Sequence, residues 1–472
     1  MKKILFAASE AAPFIKVGGL GDVAGALPKA LCEAGADCRV ILPLYSSIPW
    51  EKREDLTPLM HFDIRNAWRE QYCGVLTKKV GKVTYYFIDN EYYFNRYRVY
   101  GEADDAERFA FFSRAVLEVL PRVGFIPDVL HANDWHTALI PVLQDCEYCH
   151  REGYGNIKTV FTIHNIEFQG KFDPYILGSV FGLDESKKPM LFYGDCINLM
   201  KGAIETAHAV TTVSESYAGE ILDPYFSCGL HHILAARQFK VCGITNGIDT
   251  DVFDPATDKN IATNYSYETR SQKFRNKKAL RAEMNLPAGD MPLLALVGRL
   301  THQKGLDLLR MEFENVMATG AQMILLGTGD AEYEEFFREM QGRYPDAFRA
   351  IIGFDAALAQ RIYAGADLFL IPSKFEPCGL TQMISMRYGT LPVVHAVGGL
   401  RDTVIPYDPT TGKGNGVNFL TYDSGDMMDA IRRAVKLYYD KPNYAKAKAN
   451  AMRTDVSWKQ SAGKYLALYE RI

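Results

Sequence analysis

Ala366-Asp-Leu-Phe-Leu-Ile-Pro372 runs directly into Ser373-Lys-Phe-Glu-Pro-Cys-Gly-Leu-Thr-Gln382, and that into Met383-Ile-Ser-Met-Arg-Tyr388. The first segment is an apolar run of strand length and the last reads as a helix. The ten residues between them therefore form the turn beyond the carboxyl end of a buried parallel strand. Glu376 is held in that turn, Pro377 stiffens it, Gly379 lets the backbone come close to a ligand, and Thr381 falls in the first turn of the helix. Free amides at a helix start attract anions, and an ionised carboxylate accepts hydrogen bonds from hydroxyls. Together they suit a ligand carrying both phosphate and sugar. The same ten residues also fit an ordinary strand-turn-helix with a solvated Glu376, so the decision rests on the rest of the chain.

Outward from this stretch, the strand-helix alternation repeats in two blocks. The first has apolar runs at Lys3–Ala8, Cys38–Pro43, Thr84–Asp89, Asp128–Ala132, Thr159–Ile163, Ala209–Val213 and Val241–Thr245, with helix-period segments such as Ala24–Ala34 and Ala106–Leu120 between them. Asn246-Gly-Ile-Asp-Thr-Asp-Val-Phe-Asp-Pro255 has turn chemistry and reads as a linker. A polar, charged helical segment, Tyr267–Asn285, precedes the second block, whose runs are Pro292–Arg299, Gln322–Gly327, Phe348–Gly353, the Ala366 strand, Leu391–His395 and Gly416–Leu420. A last helix, Ser457–Ile472, carries Trp458, Tyr465, Leu466 and Tyr469 at helical spacing. This predicts an α/β protein of two Rossmann-like, doubly wound domains facing across a cleft: residues 1–245, residues 246–456, and a terminal helix over 457–472. Ligands of such sheets bind beyond the carboxyl ends of the strands, which puts the expected site in the cleft.

Composition narrows the partners. At 472 residues, 48% apolar and 23% charged, the chain can build more than one full core, and a net charge of −4 supplies no basic field for nucleic acid. The apolar run at Met1–Glu10 is too short for a signal peptide and reads as a first strand; no stretch has the length of a membrane span. Nine scattered cysteines, an odd number, fit reduced thiols and a cytoplasmic location. Cys146-Glu-Tyr-Cys149-His150 has the spacing of a c-type haem attachment, but that chemistry requires export, so neither haem nor metal is expected.

Functional groups concentrate at strand ends. Lys16-Val-Gly-Gly-Leu-Gly-Asp-Val23 follows the first strand as a glycine loop opening a helix; it lacks the dinucleotide spacing, yet Gly18 and Gly19 let amides approach an anion and Lys16 adds charge. Asp134, Trp135 and His136 follow one strand and His164 another, with no cysteine or carboxylate cluster to make the histidines metal ligands. In the second block, Gly298-Arg-Leu-Thr-His-Gln-Lys-Gly305 presents Arg299 and Lys304, a pair of cations for a diphosphate. Gly327-Thr-Gly-Asp330 is a further close-approach loop. No segment is a Walker A loop. Cations, glycine loops and Glu376, all at strand ends, point to a nucleotide-sugar.

The ordered set Lys16–Val23, Asn133-Asp-Trp-His136, Thr162-Ile-His-Asn165 and Glu376-Pro-Cys-Gly-Leu-Thr-Gln382 resembles the bacterial glycogen synthases and plant starch synthases, over essentially the whole chain. The resemblance implies the GT-B fold and a glycosyltransferase that moves glucose from ADP-glucose to the non-reducing end of an α-1,4-glucan such as glycogen, with retention of configuration. It implies no cofactor and no obligatory metal. Carried over by position, it implies that Lys16, Gly18 and Gly19 contact the donor diphosphate and that Arg299 and Lys304 neutralise the leaving nucleotide. His164, Asn246 and Glu376, with the Gly379–Leu380 backbone, hold the glucose, Cys378 and Thr381 also bind the donor, and Asp134 lies near the acceptor hydroxyl. Many retaining relatives carry a second Glu eight positions after the first. Here Ile384 stands there, as in the glycogen synthase branch, so no scheme can use two carboxylates of this motif. UDP-glucose as donor is one alternative. A catalytically silent glucan-binding protein is another, which the intact Lys16, Arg299, Lys304 and Glu376 argue against.

Overall fold

The computed structural model describes all 472 residues. The chain forms two compact units, Met1–Asn246 with Trp458–Ile472, and Gly247–Ser457.

In the first unit, β1 (Lys3–Ala7), β2 (Asp37–Pro43), β3 (Thr57–Asn66), β4 (Arg69–Val80), β5 (Val83–Asp89), β6 (Val129–Asn133) and β7 (Lys158–Ile163) enter one sheet. A separate ribbon contains β8 (Lys171–Phe172), β9 (Phe192–Tyr193) and β10 (Cys196–Asn198); β11 (Ala209–Thr212) and β12 (Val241–Gly243) complete the main sheet. Its order is β12-β11-β7-β6-β1-β2-β5-β4-β3. From β12 to β5 every neighbour is parallel, whereas β3 and β4 pair antiparallel at one edge. The parallel strands are apolar throughout because helices cover both faces. The β3–β4 hairpin escapes an apolar-run reading, since exposed Asp63 and Arg65 alternate with buried Ile64 and Asn66. Only one of its faces packs.

The second unit holds β13 (Leu293–Val297), β14 (Gln322–Gly327), β15 (Phe348–Ile352), β16 (Leu368–Ile371), β17 (Leu391–His395) and β18 (Val417–Phe419), all parallel, in the order β15-β14-β13-β16-β17-β18. This is a doubly wound sheet whose order reverses between β13 and β16. In the first unit the reversal lies between β1 and β6. Ligands bind outside the strand ends at such reversals, which directs attention to the loops after β1, β6, β13 and β16.

Two helices show how charge and rings are buried away from those loops. The helix Lys273–Glu283 reads as polar, yet it buries Lys273, Lys277 and Arg281. Each is satisfied. The Lys273 ammonium donates to the carbonyls of Tyr363 and Ala364 at 2.9 and 2.7 Å, the open C-terminal end of helix Ala356–Gly365, and Lys277 pairs with Asp367 just before β16. The terminal helix Trp458–Arg471 packs against helix Gly19–Glu33 and buries Trp458, Tyr465, Leu468 and Tyr469. Leu466 is half-buried at the edge of that face, because steps of three and four from Tyr465 reach Leu468 and Tyr469. Inside the unit, the Tyr469 hydroxyl lies 2.7 Å from Nδ1 of His131 on β6.

Candidate active site

The loop after β1 folds around a buried carboxylate. Glu10 is 1% exposed and accepts hydrogen bonds from the Val17 and Gly18 amides and, at 2.9 Å, from the Tyr100 hydroxyl. Burial pushes its carboxyl above the usual range, against the lowering effect of the two amides. The Gly18 amide is thus committed to Glu10, and Gly19 is the loop glycine whose amide remains available. Lys16 reaches back to Asp22 at 2.8 Å and is about half exposed. Neither Glu10 nor Tyr100 stands in a motif of the sequence. Glu10 carried the right signal, a charge directly after an apolar strand; Tyr100, 90 positions away, carried none.

The loop after β6 brings Asp134 and His164 together. Asp134 has φ 56° and ψ 177°, a backbone conformation that residues with a Cβ avoid, and such strain clusters at functional sites. Its Oδ1 accepts the amides of His164 at 2.8 Å and Asn165 at 3.4 Å, which lie just beyond β7. Burial pushes the Asp134 carboxyl up to about 7 despite those amides. His164 Nε2 lies 2.9 Å from Asn133 Oδ1, and Asn133 Nδ2 donates to the Ala7 carbonyl at 3.0 Å. Oδ1 is therefore an acceptor, Nε2 carries the proton, and Nδ1 keeps its lone pair. Burial lowers this imidazole to about 3, so it is neutral. His136 packs against Tyr100, Phe109 and Trp135 with both ring nitrogens unpartnered, and Asn246 has a buried Oδ1 without a partner.

In the second unit the loops after β13 and β16 interlock. Gly305 has φ 70°, and a Cβ there would lie 1.9 Å from the Pro372 carbonyl oxygen, so only glycine permits this approach. The Lys374 amide donates to the Gln303 carbonyl at 2.9 Å. These contacts place Lys304 Nζ 2.6 Å from Glu376 Oε2, where the Ser373 hydroxyl also donates at 2.9 Å. Gly399 packs on Cys378 and its amide donates to the Glu376 carbonyl at 3.1 Å. The Gln382 side-chain amide donates to the carbonyls of Cys378 and Gly379 at 3.0 and 2.9 Å. Cys378 is buried, Gly379 has φ 74°, Leu380 is half-buried, and Thr381 opens helix Thr381–Arg387. Arg299 extends into solvent.

The first unit thus presents a neutral imidazole, a raised carboxyl and a glycine loop with an available amide, and the second a carboxylate clamped by an ammonium. No three His, Cys, Asp or Glu side chains are arranged to hold a metal ion. Burial pushes the Cys146 thiol up to about 11, which makes it a poor thiolate source. No helix is long and apolar enough to cross a membrane.

Comparison with known proteins agrees with this chemistry. Residues 3–236 match the starch synthase catalytic domain, and residues 277–453 match glycosyl transferases group 1. The chain is 47% identical over 474 residues to a glycogen synthase of Anoxybacillus flavithermus, covering 100% of this chain and 98% of the relative. It is 48% identical over 479 residues to one of Ligilactobacillus salivarius, covering 100% of both. Among solved structures, the catalytic domain of starch synthase IV from Arabidopsis thaliana, bound to ADP and acarbose, superposes with a TM-score of 0.93 at 36% identity over 100% of this chain and 99% of that one. A sucrose-phosphate synthase from Thermosynechococcus elongatus, at 18% identity and a TM-score of 0.63 over 100% of this chain and 99% of that one, shares the fold. The chain belongs to the glycogen synthase and starch synthase family of GT-B glycosyltransferases.

Proposed function

We propose that this chain transfers glucose from ADP-glucose to the non-reducing end of an α-1,4-glucan, with retention at the anomeric carbon. The observation that carries the reading is full-length kinship with glycogen synthases at 47–48% identity. The starch synthase IV structure holds ADP and acarbose, which supports an adenine nucleotide and a glucan as ligands here. All nine cysteines are free, in keeping with a reducing, cytoplasmic setting.

Breaking the anomeric C–O bond builds negative charge on the departing diphosphate and positive charge on the sugar. Arg299 and Lys304, with Lys16 and the Gly19 amide, meet the negative charge in this scheme; fixed donors aimed at developing charge are the strongest catalytic device a protein has. An ammonium has three N–H donors, so Lys304 can keep Glu376 while turning another proton toward phosphate. Glu376 accepts from a glucose hydroxyl, as do Nδ1 of His164 and Oδ1 of Asn246, while the backbone from Cys378 to Thr381 lines the donor.

Asp134 sits beside the acceptor hydroxyl. Two amides already bind its Oδ1, which supports a positioning role over covalent attack. Departure is on the front face, with a phosphate oxygen taking the acceptor proton. Glucose found covalently on Asp134 or Glu376 after a single turnover would overturn that mechanism.

The function is tested by incorporation of labelled glucose into glycogen from ADP-glucose and from UDP-glucose, beside Glu376→Ala. Transfer from ADP-glucose that the variant loses supports the reading. A preference for UDP-glucose overturns the donor, and glucan binding without transfer from either donor overturns the activity.

A further inference from the structure

Two donors converge on one oxygen of Glu376. Lys304 Nζ and Ser373 Oγ both meet Oε2, at 2.6 and 2.9 Å, and Oε1 has no protein partner. Ser373 is 0% exposed, and its own carbonyl accepts from His395 Nδ1 at 2.7 Å. The two donors differ in what else they serve. Lys304 is half-buried on a flexible stem, in a loop that also carries exposed Arg299, and its ammonium has further N–H donors to share with a phosphate. The Ser373 hydroxyl has one proton and spends it on Glu376, while His395 of β17 holds the residue by its backbone carbonyl. Rotation of a carboxylate about its last bond is soft. With Lys304 shared between Glu376 and a phosphate, the serine is the donor committed to Glu376 alone and holds the plane of its carboxylate.

We propose that Ser373 is a positioning residue for transfer: it holds Oε2 so that Oε1 faces a hydroxyl of the donor sugar, and His395 fixes Ser373 in turn. This rests on the ADP-glucose reading above. Hydrogen bonds to charged groups are worth about 10- to 100-fold in an equilibrium or rate, which sets the expected effect.

The test is Ser373→Ala in the full chain, read by kcat for glucose transfer and by calorimetric titration with ADP and with ADP-glucose. The expected result is a kcat lower by about 10- to 100-fold with ADP affinity unchanged. The extra affinity of ADP-glucose over ADP also shrinks, and Ser373→Ala causes no further loss when introduced into Glu376→Ala. Unchanged kcat overturns the proposal. So does an equal loss of ADP affinity, which marks a merely structural serine, and so does a loss that multiplies with that of Glu376→Ala. Failure of the underlying reading looks different, because wild-type protein then neither binds ADP-glucose nor transfers glucose.

Discussion

Lys304 Nζ lies 2.6 Å from Glu376 Oε2 and joins the loop after β13 to the loop after β16, where the strand order of the second sheet reverses. The side chains are 23% and 10% exposed, so removing either leaves a mostly buried charge unpaired. Lys304→Ala is expected to lower transfer from ADP-glucose by about 10²- to 10³-fold, the loss typical of one electrostatic donor. Labelled-glucose incorporation checks this; a loss below tenfold contradicts the role given to Lys304.

Asp134 makes the fold sensitive to pH. Its carboxyl sits at about 7 in the folded chain against the ordinary aspartate value of 3.8. A raised acid favours folding fully below the lower value, and that contribution is lost as pH climbs through the higher one. Wild-type protein should therefore lose about 2–3 kcal/mol between pH 5 and pH 8 that Asp134→Asn does not. Urea unfolding of both proteins at the two pH values measures the difference. Parallel pH profiles would show that Asp134 is not buried as an acid.

Gly305 permits the interlock that places Lys304. At φ 70° an added methyl meets the Pro372 carbonyl. Gly305→Ala is expected to destabilise the chain by more than about 1 kcal/mol and to weaken ADP binding through the adjacent Lys304. A variant with wild-type unfolding and ADP affinity would refute this account of the loop.

The buried pair His131 and Tyr469 ties the terminal helix to β6. Tyr469→Phe leaves an imidazole nitrogen without its partner, at a cost of about 1–3 kcal/mol. Amide exchange across Trp458–Arg471 should accelerate in the variant; unchanged protection there would assign the helix's anchoring to its rings alone.

The parallel strands were legible because a strand covered on both faces is apolar along its length, as in Leu368–Ile371 and Leu391–His395. The β3–β4 hairpin was not, since alternation with polar residues hides a one-sided strand from a search for apolar runs. Candidate site residues could be picked out where they directly follow a strand, because a doubly wound sheet gathers ligands there. Partners far apart in sequence left no such trace. Tyr100 meets Glu10 across 90 positions, and His395 meets Ser373 across 22.

By itself, then, the sequence determined the two α/β blocks, the strand ends that carry charge, and through its ordered motifs the family. Each is written locally, in hydrophobic period, turn residues and residue type. Only tertiary structure decided which groups meet: that the Gly18 amide binds Glu10, that His164 is neutral with Nδ1 as its acceptor, and that Ser373 and Lys304 share one oxygen of Glu376. Protonation and hydrogen-bond pairing depend on burial and on distances between segments remote in the chain, and those distances exist only once the sheets have formed.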